Sequence, residues 1–263
     1  MLDIHALCRI AKEAGQLIMT VYQRDFTVAD KPDASPITEA DLLAHHHIVA
    51  ALQALTPDIP VLSEESTDIT GEVRCAWPRY WLVDPLDGTK EFIKKNGEFT
   101  VNIALIERGE PVAGVVHAPA LDVTYWGRVG QGAFKQQADN TPHAIHVAAL
   151  PPAAGHRWRV VGSRSHASLA NNQFIARLPN AELLNMGSSL KLCLVAEGAA
   201  DLYPRLSPTS EWDTAAAHAV VSAAGGYVLT WPELTPLRYN QNIDTVLNPF
   251  FVVCADVHEA WSI

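Results

Sequence analysis

Two carboxylates three positions apart, Asp84 and Asp87, sit in the string Asp84-Pro85-Leu86-Asp87-Gly88-Thr89 and point most directly to chemistry. Pro85 fixes one φ angle, and Gly88 permits a conformation or a close approach that a side chain would block, so the two acids can converge on one side. Convergent carboxylates attract hard cations. Mg²⁺ takes oxygen ligands in an octahedral array, so two or three carboxylates with a carbonyl such as that of Leu86 suit it better than zinc, which favours His and Cys. The same six residues would also make an ordinary Asp-Pro and Asp-Gly turn. The reading therefore depends on whether other acids join them.

Two candidates exist. Glu64 lies in Ser63-Glu64-Glu65-Ser66, and Asp213 lies in Trp212-Asp213-Thr214-Ala215-Ala216, where small residues allow close helix packing beside a carboxylate. Either alone reads as a solvated acid. In combination with the hexapeptide they resemble the lithium-sensitive, Mg²⁺-dependent inositol monophosphatase superfamily, and within it the bisphosphate nucleotidases of the CysQ type, which remove the 3′-phosphate from adenosine 3′,5′-bisphosphate. The resemblance runs from Met1 to about Phe251. It is carried by Ser35-Pro36 with Thr38 and Asp41, by Val61-Leu62-Ser63-Glu64-Glu65, and by the block from Arg79 to Leu105. Ser163-Arg164-Ser165-His166, Gly187-Ser188-Ser189-Leu190-Lys191, Leu202-Tyr203-Pro204-Arg205 and the Asp213 string complete it. It departs at Ala217, where similar nucleotidases often carry Gly, and in the tail from Val252 to Ile263; neither departure removes a ligand.

The resemblance implies an α+β fold, a layered αβαβα sandwich of the inositol monophosphatase and sugar phosphatase type, and a cofactor of two Mg²⁺ ions, or three. Glu64, Asp84 and the Leu86 carbonyl would hold one ion and Asp84, Asp87 and Asp213 a second, with Asp84 bridging. Thr89 and Glu64 would orient the attacking water, and Asp41, placed behind Thr89, would accept the threonine hydroxyl proton. Backbone N–H groups of Gly88 and Thr89 would meet phosphate oxygens. A second anionic group, away from the metals, needs partners such as Ser188, Lys191 and Arg205, and His166 would contact base or ribose. These cations favour a nucleotide bisphosphate over two rivals, an inositol or sugar monophosphatase and a non-catalytic nucleotide-binding regulator. The implied setting is sulfate assimilation, where such enzymes clear the by-product of the activated sulfate donor and can act on that donor too. A homodimer and peripheral attachment to the cytoplasmic face of the inner membrane are both compatible with the resemblance.

These residues need elements to position them. Apolar residues at helical spacing from Ile4 to Tyr22 predict an amphipathic helix. Thr38 with Asp41 three residues on predicts a capping box opening a second helix that stops before Pro57. Apolar runs at Ile59 to Leu62 and Tyr80 to Val83 predict strands delivering acids at their ends, with the hexapeptide as a turn and a short helix from Thr89 to Lys95. Phe99 to Lys135 reads as an antiparallel meander. Ala138 to Gly155 reads as a linker, which divides the chain into residues 1–150, with most of the acids, and 151–263, with Asp213 and the nucleotide contacts. Beyond it, strands near Arg159 to Val161, Leu183 to Leu184 and Phe250 to Cys254 alternate with helical stretches.

Composition narrows the alternatives. The chain has 263 residues and a formal charge of −10, so it has no basic stripe for nucleic acid, and an anionic ligand must be met locally. No apolar run approaches the ~18 residues of a membrane span, and the N-terminus has no signal-peptide pattern, so a cytoplasmic location is expected. Cys8, Cys75, Cys193 and Cys254 are far apart, as expected of reduced thiols. His45, His46 and His47 diverge around a helix and cannot chelate one ion together, and His143 and His146 have no partner at zinc spacing. No phosphate-binding G-x-x-x-x-G-K motif or Rossmann glycine motif is present.

Overall fold

The computed structural model describes residues 2–30, 36–66, 69–149, 157–163 and 169–262. Helix α1 (Ile4–Tyr22) starts where Asp3 Oδ1 accepts from the His5 N–H at 3.0 Å. A hairpin of β1 (Val28–Asp30) and β2 (Pro36–Thr38) leads into α2 (Glu39–Leu55), opened by the capping box of Thr38 and Asp41. Next come β3 (Val61–Ser63), α3 (Gly71–Cys75), β4 (Arg79–Asp87) and α4 (Thr89–Ile93). The meander is β5 (Thr100–Glu107), β6 (Glu110–Ala118), β7 (Val123–Arg128), β8 (Gly132–Gln137) and β9 (His143–Ile145). The remainder is β10 (Arg159–Ser163), α5 (Leu169–Ile175), β11 (Glu182–Met186), α6 (Leu190–Ala196), β12 (Leu202–Arg205), α7 (Ala215–Ala223), β13 (Tyr227–Thr230) and β14 (Phe251–Cys254). A 3₁₀ turn, Glu211–Asp213, precedes α7.

Two sheets organise these elements. Strands β3 to β9 form a seven-stranded sheet in sequence order, and β11-β10-β12-β14-β13 form a five-stranded one. Only β3 and β4 run parallel in the first; the rest of it is antiparallel. Side chains alternate across β4: Trp81 and Val83 pack with Leu7, Ile18, Ile48 and Leu52 of α1 and α2. Tyr80 and Leu82 face the other way, into a core shared with Cys193 of α6, Val220 of α7 and Val253 of β14. A third cluster joins Phe174 of α5 to Val160, Leu202 and Val252 on the outer face of the second sheet. The order is thus helices, sheet, helices, sheet, helix, the expected αβαβα sandwich. No described helix is long and apolar enough to cross a membrane. All four cysteines are free, and all but Cys75 are buried.

Helix α7 lies directly on the backbone of the first sheet. A Cβ at Gly114 would stand 2.2 Å from the Ala216 carbonyl oxygen, and one at Gly127 would stand 2.8 Å from Val220 Cα. The obstructing atoms are backbone, so the helix itself must move. Gly114→Ala is expected to destabilise the chain by about 3 kcal/mol, lowering its melting temperature by roughly 10 °C in a calorimetric scan.

Three local expectations are corrected. The hexapeptide is not a turn after the strand: β4 continues through Asp87, with a register shift against β5 between Asp84 and Asp87. Pro85, which has no N–H to give the ladder, sits in that irregular stretch. The linker-like stretch contains β9, paired with β8, because the alternating His143-Ala144-Ile145 can bury Ile145 at a sheet edge. Helix α4 stops at Ile93, as Lys94 caps it and Lys95 takes a φ of 56°.

Candidate active site

Three chain segments supply the acids. Because β3 and β4 are parallel neighbours, the Glu64 N–H bonds the Val83 carbonyl at 3.0 Å, which sets Glu64 beside Asp84. Asp84 is 1% exposed and its Oδ1 accepts from the Leu86 N–H at 3.0 Å, a local bond across the proline within the irregular stretch of β4. Gly88 then takes a φ of 90°, and a Cβ there would meet the Glu98 carbonyl oxygen at 3.1 Å, so it serves both purposes expected of it. Asp213 ends the 3₁₀ turn, where its Oδ2 accepts from Thr209 Oγ1 at 2.6 Å and from the Ser210 N–H at 2.9 Å. Loop residues 246–248 clamp that turn through Glu211 N to Val246 O at 2.8 Å and Asn248 N to Thr209 O at 2.9 Å.

Among the described residues, Asp84, Asp87 and Asp213 each offer an oxygen within 4.8 Å of the others, close enough to share a cation. Glu64 lines the same cleft and its carboxyl hydrogen-bonds Asp84, a contact that requires a shared proton. Burial, then Glu64, Asp87 and Asp213, hold the Asp84 carboxyl well above the usual range. Burial and the Asp213 charge push Asp87 up to about 6, opposed by Lys191 and by the donors of Ser189. Burial also raises Asp213, against the bonds from Thr209 and Ser210. All-oxygen, crowded and charge-frustrated, this donor set fits a hard divalent cation.

A pH dependence follows. Raised proton affinities make protons compete with a cation for these acids, so cation uptake weakens as pH falls through about 6, where Asp87 takes up its proton. Mg²⁺ affinity is expected to drop about tenfold or more from pH 7.5 to pH 5, with protons released on binding, measurable by calorimetry in buffers of different ionisation enthalpy.

Behind the acids, Asp41 performs two tasks. Its Oδ2 accepts from the Thr38 N–H at 2.8 Å and Thr38 Oγ1 at 2.6 Å, while its Oδ1 stands 3.4 Å from Thr89 Oγ1. The helix cap and the threonine contact coexist on one buried carboxylate. Thr89 Oγ1 is also 3.4 Å from the Leu86 carbonyl. Across the cleft, Lys191 is buried, donates from Nζ to the Ser188 carbonyl at 2.5 Å, and lies 5.8 Å from the Tyr203 ring centre. Burial pulls its ammonium down to about 8, with Asp87 acting in the opposite sense. Arg205 is held by the Ser207 and Pro208 carbonyls. Ser188 has a φ of 45° and a buried Oγ with no partner among the described residues.

Glu64, Asp84, Leu86, Asp87, Gly88, Thr89, Ser188, Lys191, Arg205 and Asp213 therefore line one cleft, with Asp41 just behind Thr89. His166 lies outside the described residues. The histidine triplet does diverge: His45 Nδ1 is 2.9 Å from Ser63 Oγ, whereas His47 pairs with Glu13. Sequence reasoning passed over Ser189, Asn102 and Thr209, which hold the acids in place. Asn102 was detectable as a lone amide in the apolar strand Thr100–Glu107, and Thr209-Ser210 as the start of a cap for Asp213.

The chain belongs to the inositol monophosphatase family, whose model matches residues 3–251. It is 50% identical over 250 residues to the 3′(2′),5′-bisphosphate nucleotidase CysQ of Escherichia coli K12, covering 94% of this chain and 97% of that one. The CysQ of Haemophilus influenzae is 39% identical over 256 residues, covering 96% and 92%. Among solved structures, CysQ from Bacteroides thetaiotaomicron superposes with a TM-score of 0.84 at 40% identity, covering 97% of each chain. The extragenic suppressor protein SuhB from Bartonella henselae gives 0.77 at 25% identity, covering 96% and 93%.

Proposed function

We propose that this chain is a Mg²⁺-dependent 3′(2′),5′-bisphosphate nucleotidase that hydrolyses the 3′-phosphate of adenosine 3′,5′-bisphosphate to give AMP and phosphate. The observation that carries this reading is the pairing, in one cleft, of the acidic cluster with the buried Lys191 and with Arg205. A monoester with a single phosphate needs only the acids and their cations. The second phosphate of a bisphosphate gives Lys191 and Arg205 an anion to bind. The 50% identity to a curated bisphosphate nucleotidase points the same way.

Glu64, Asp84 and the Leu86 carbonyl would hold one Mg²⁺, and Asp84, Asp87 and Asp213 a second. When bound, the ions offset the charge of acids and phosphate and make a nearby water more acidic. The chain's own residues do the rest. Asp41 takes the Thr89 hydroxyl proton into a hydrogen bond, which leaves a Thr89 lone pair to accept from the water. Glu64 aligns the same water from the other side, and the backbone N–H groups of Gly88 and Thr89 steady the phosphate oxygens. The water oxygen bonds phosphorus and passes a proton to the Glu64 carboxylate, the bond from phosphorus to the ribose 3′-oxygen breaks, and that oxygen takes a proton from solvent water, while Glu64 returns its own to solvent so that the protons balance. Lys191, Arg205 and Ser188 fix the 5′-phosphate, so the 3′ ester is the one delivered to the acids. Residues 1–150 thus supply most of the reacting side of the cleft, and residues 151–263 supply Asp213 and most of the recognition.

Phosphate release from adenosine 3′,5′-bisphosphate, from the corresponding sulfate donor, from inositol 1-phosphate and from fructose 1,6-bisphosphate, each with and without EDTA, tests the proposal. The adenosine bisphosphate should be preferred, with turnover abolished by EDTA and inhibited by Li⁺. A preference for inositol 1-phosphate would overturn the substrate assignment and leave the metal site standing.

A further inference from the structure

Asp87 and Asp213 each have one oxygen occupied by the protein. Asp87 Oδ2 accepts from the Ser189 N–H at 2.6 Å and stands 2.9 Å from Ser189 Oγ. Asp213 Oδ2 accepts from Thr209 Oγ1 and the Ser210 N–H. The Ser189 hydroxyl also stands 2.5 Å from the Asp213 carbonyl oxygen, so one side chain, 1% exposed, ties an acid of the first sheet to the peptide that carries another. Asn102, opposite Asp84 in the ladder, donates from Nδ2 to the Ser189 oxygen at 2.8 Å and holds that hydroxyl in place. Ser189 has a single proton for two acceptors, so its backbone N–H secures Asp87 whichever of them the hydroxyl serves.

We propose that Ser189 and Thr209 are positioning residues that confine Asp87 and Asp213 to binding through one oxygen each, and that this confinement selects Mg²⁺ against Ca²⁺. The inference rests on the metal reading above. Mg²⁺ accepts six ligands at about 2.0–2.1 Å and is satisfied by carboxylates that each give one oxygen. Ca²⁺ seeks six to eight oxygens at about 2.3–2.6 Å and gains them by taking both oxygens of a carboxylate. An Oδ2 held by a backbone N–H and flanked by a hydroxyl oxygen cannot turn to a larger ion without breaking those contacts. The tie from Ser189 to the Asp213 peptide also resists the widening that a larger ion requires.

The test is calorimetric titration of Mg²⁺ and of Ca²⁺ into the metal-stripped full chain, as wild type, Ser189→Ala and Thr209→Val. In each variant Mg²⁺ affinity should fall about tenfold while Ca²⁺ affinity changes by less than about threefold, so the ratio of the two affinities narrows. A merely structural loss would weaken both ions equally. An unchanged ratio in the variants therefore overturns the proposal, even if both affinities drop. Thr209 is only half-buried and lies outside the core, so Thr209→Val decides the matter if Ser189→Ala does not fold. Wild-type chain that takes up no Mg²⁺ would overturn this proposal and the metal reading together. Wild-type uptake with unchanged selectivity in the variants would overturn this proposal alone.

Discussion

Asp84→Asn is expected to lower phosphate release by about a thousandfold or more and, at the same time, to raise the melting temperature of the metal-free chain. The two effects share a cause. Asp84 is the acid common to both proposed ion positions, and an amide oxygen carries no charge to hold either. In the absence of metal, the same carboxyl is buried among Glu64, Asp87 and Asp213, which holds its proton affinity well above that of an exposed aspartate. An acid whose folded pKa is raised costs nothing at pH values below the ordinary carboxylate range, and its cost grows as pH rises past that range, because the unfolded chain then gives up its proton while the folded one must keep it or bear a buried charge. At neutral pH the neutral amide removes that cost, by about 1–2 kcal/mol, or roughly 3–6 °C. Melting scans in EDTA and in Mg²⁺ check both parts: wild type should gain stability from Mg²⁺, and the variant should start higher and gain little. A variant that melts below wild type in EDTA would contradict the charge-frustrated reading of the cluster.

Thr89→Ala should cost about 10²–10⁴ in kcat with KM and Mg²⁺ affinity nearly unchanged. The side chain sits between the Asp41 carboxylate and the Leu86 carbonyl and, in this reading, contributes only an oriented hydroxyl. Losing it leaves every acid in place. Thr89→Ser, which keeps the hydroxyl, should recover most of the rate. Single-turnover kinetics with Mg²⁺ titrations on the same preparations separate this outcome from a disturbed metal site: if Thr89→Ala loses rate and Mg²⁺ affinity in parallel, the hydroxyl acts through the ions and not on the water.

The acids were legible in sequence because their chemistry has a short-range signature. Pro85 and Gly88 announce a backbone irregularity at Asp84 and Asp87, and the Thr38–Asp41 spacing announces a helix start whose acid then proves to touch Thr89. The extent of β4 was not legible, because a proline inside a strand reads as its end when the bulge that accommodates it is out of view. The αβαβα order came from the family resemblance, since no periodicity records which face of a sheet a distant helix covers. Ser189 and Asn102 went unassigned for a related reason. A serine at a helix start and an amide in a strand are unremarkable singly, and their role exists only once residues far apart in the chain meet at Asp87.

At Gly114 and Gly127 helix α7 meets the sheet backbone with no side chain between them, and it begins at Ala215, two residues after Asp213. The separation between Asp213 and the strand-borne acids is for that reason a main-chain dimension. Rotamer exchange, which lets cushioned helices drift, has nothing to act on at this contact. The spacing of the acids should accordingly hold steady on warming until the layers part cooperatively, so activity should end abruptly at the melting transition, without a gradual decline before it.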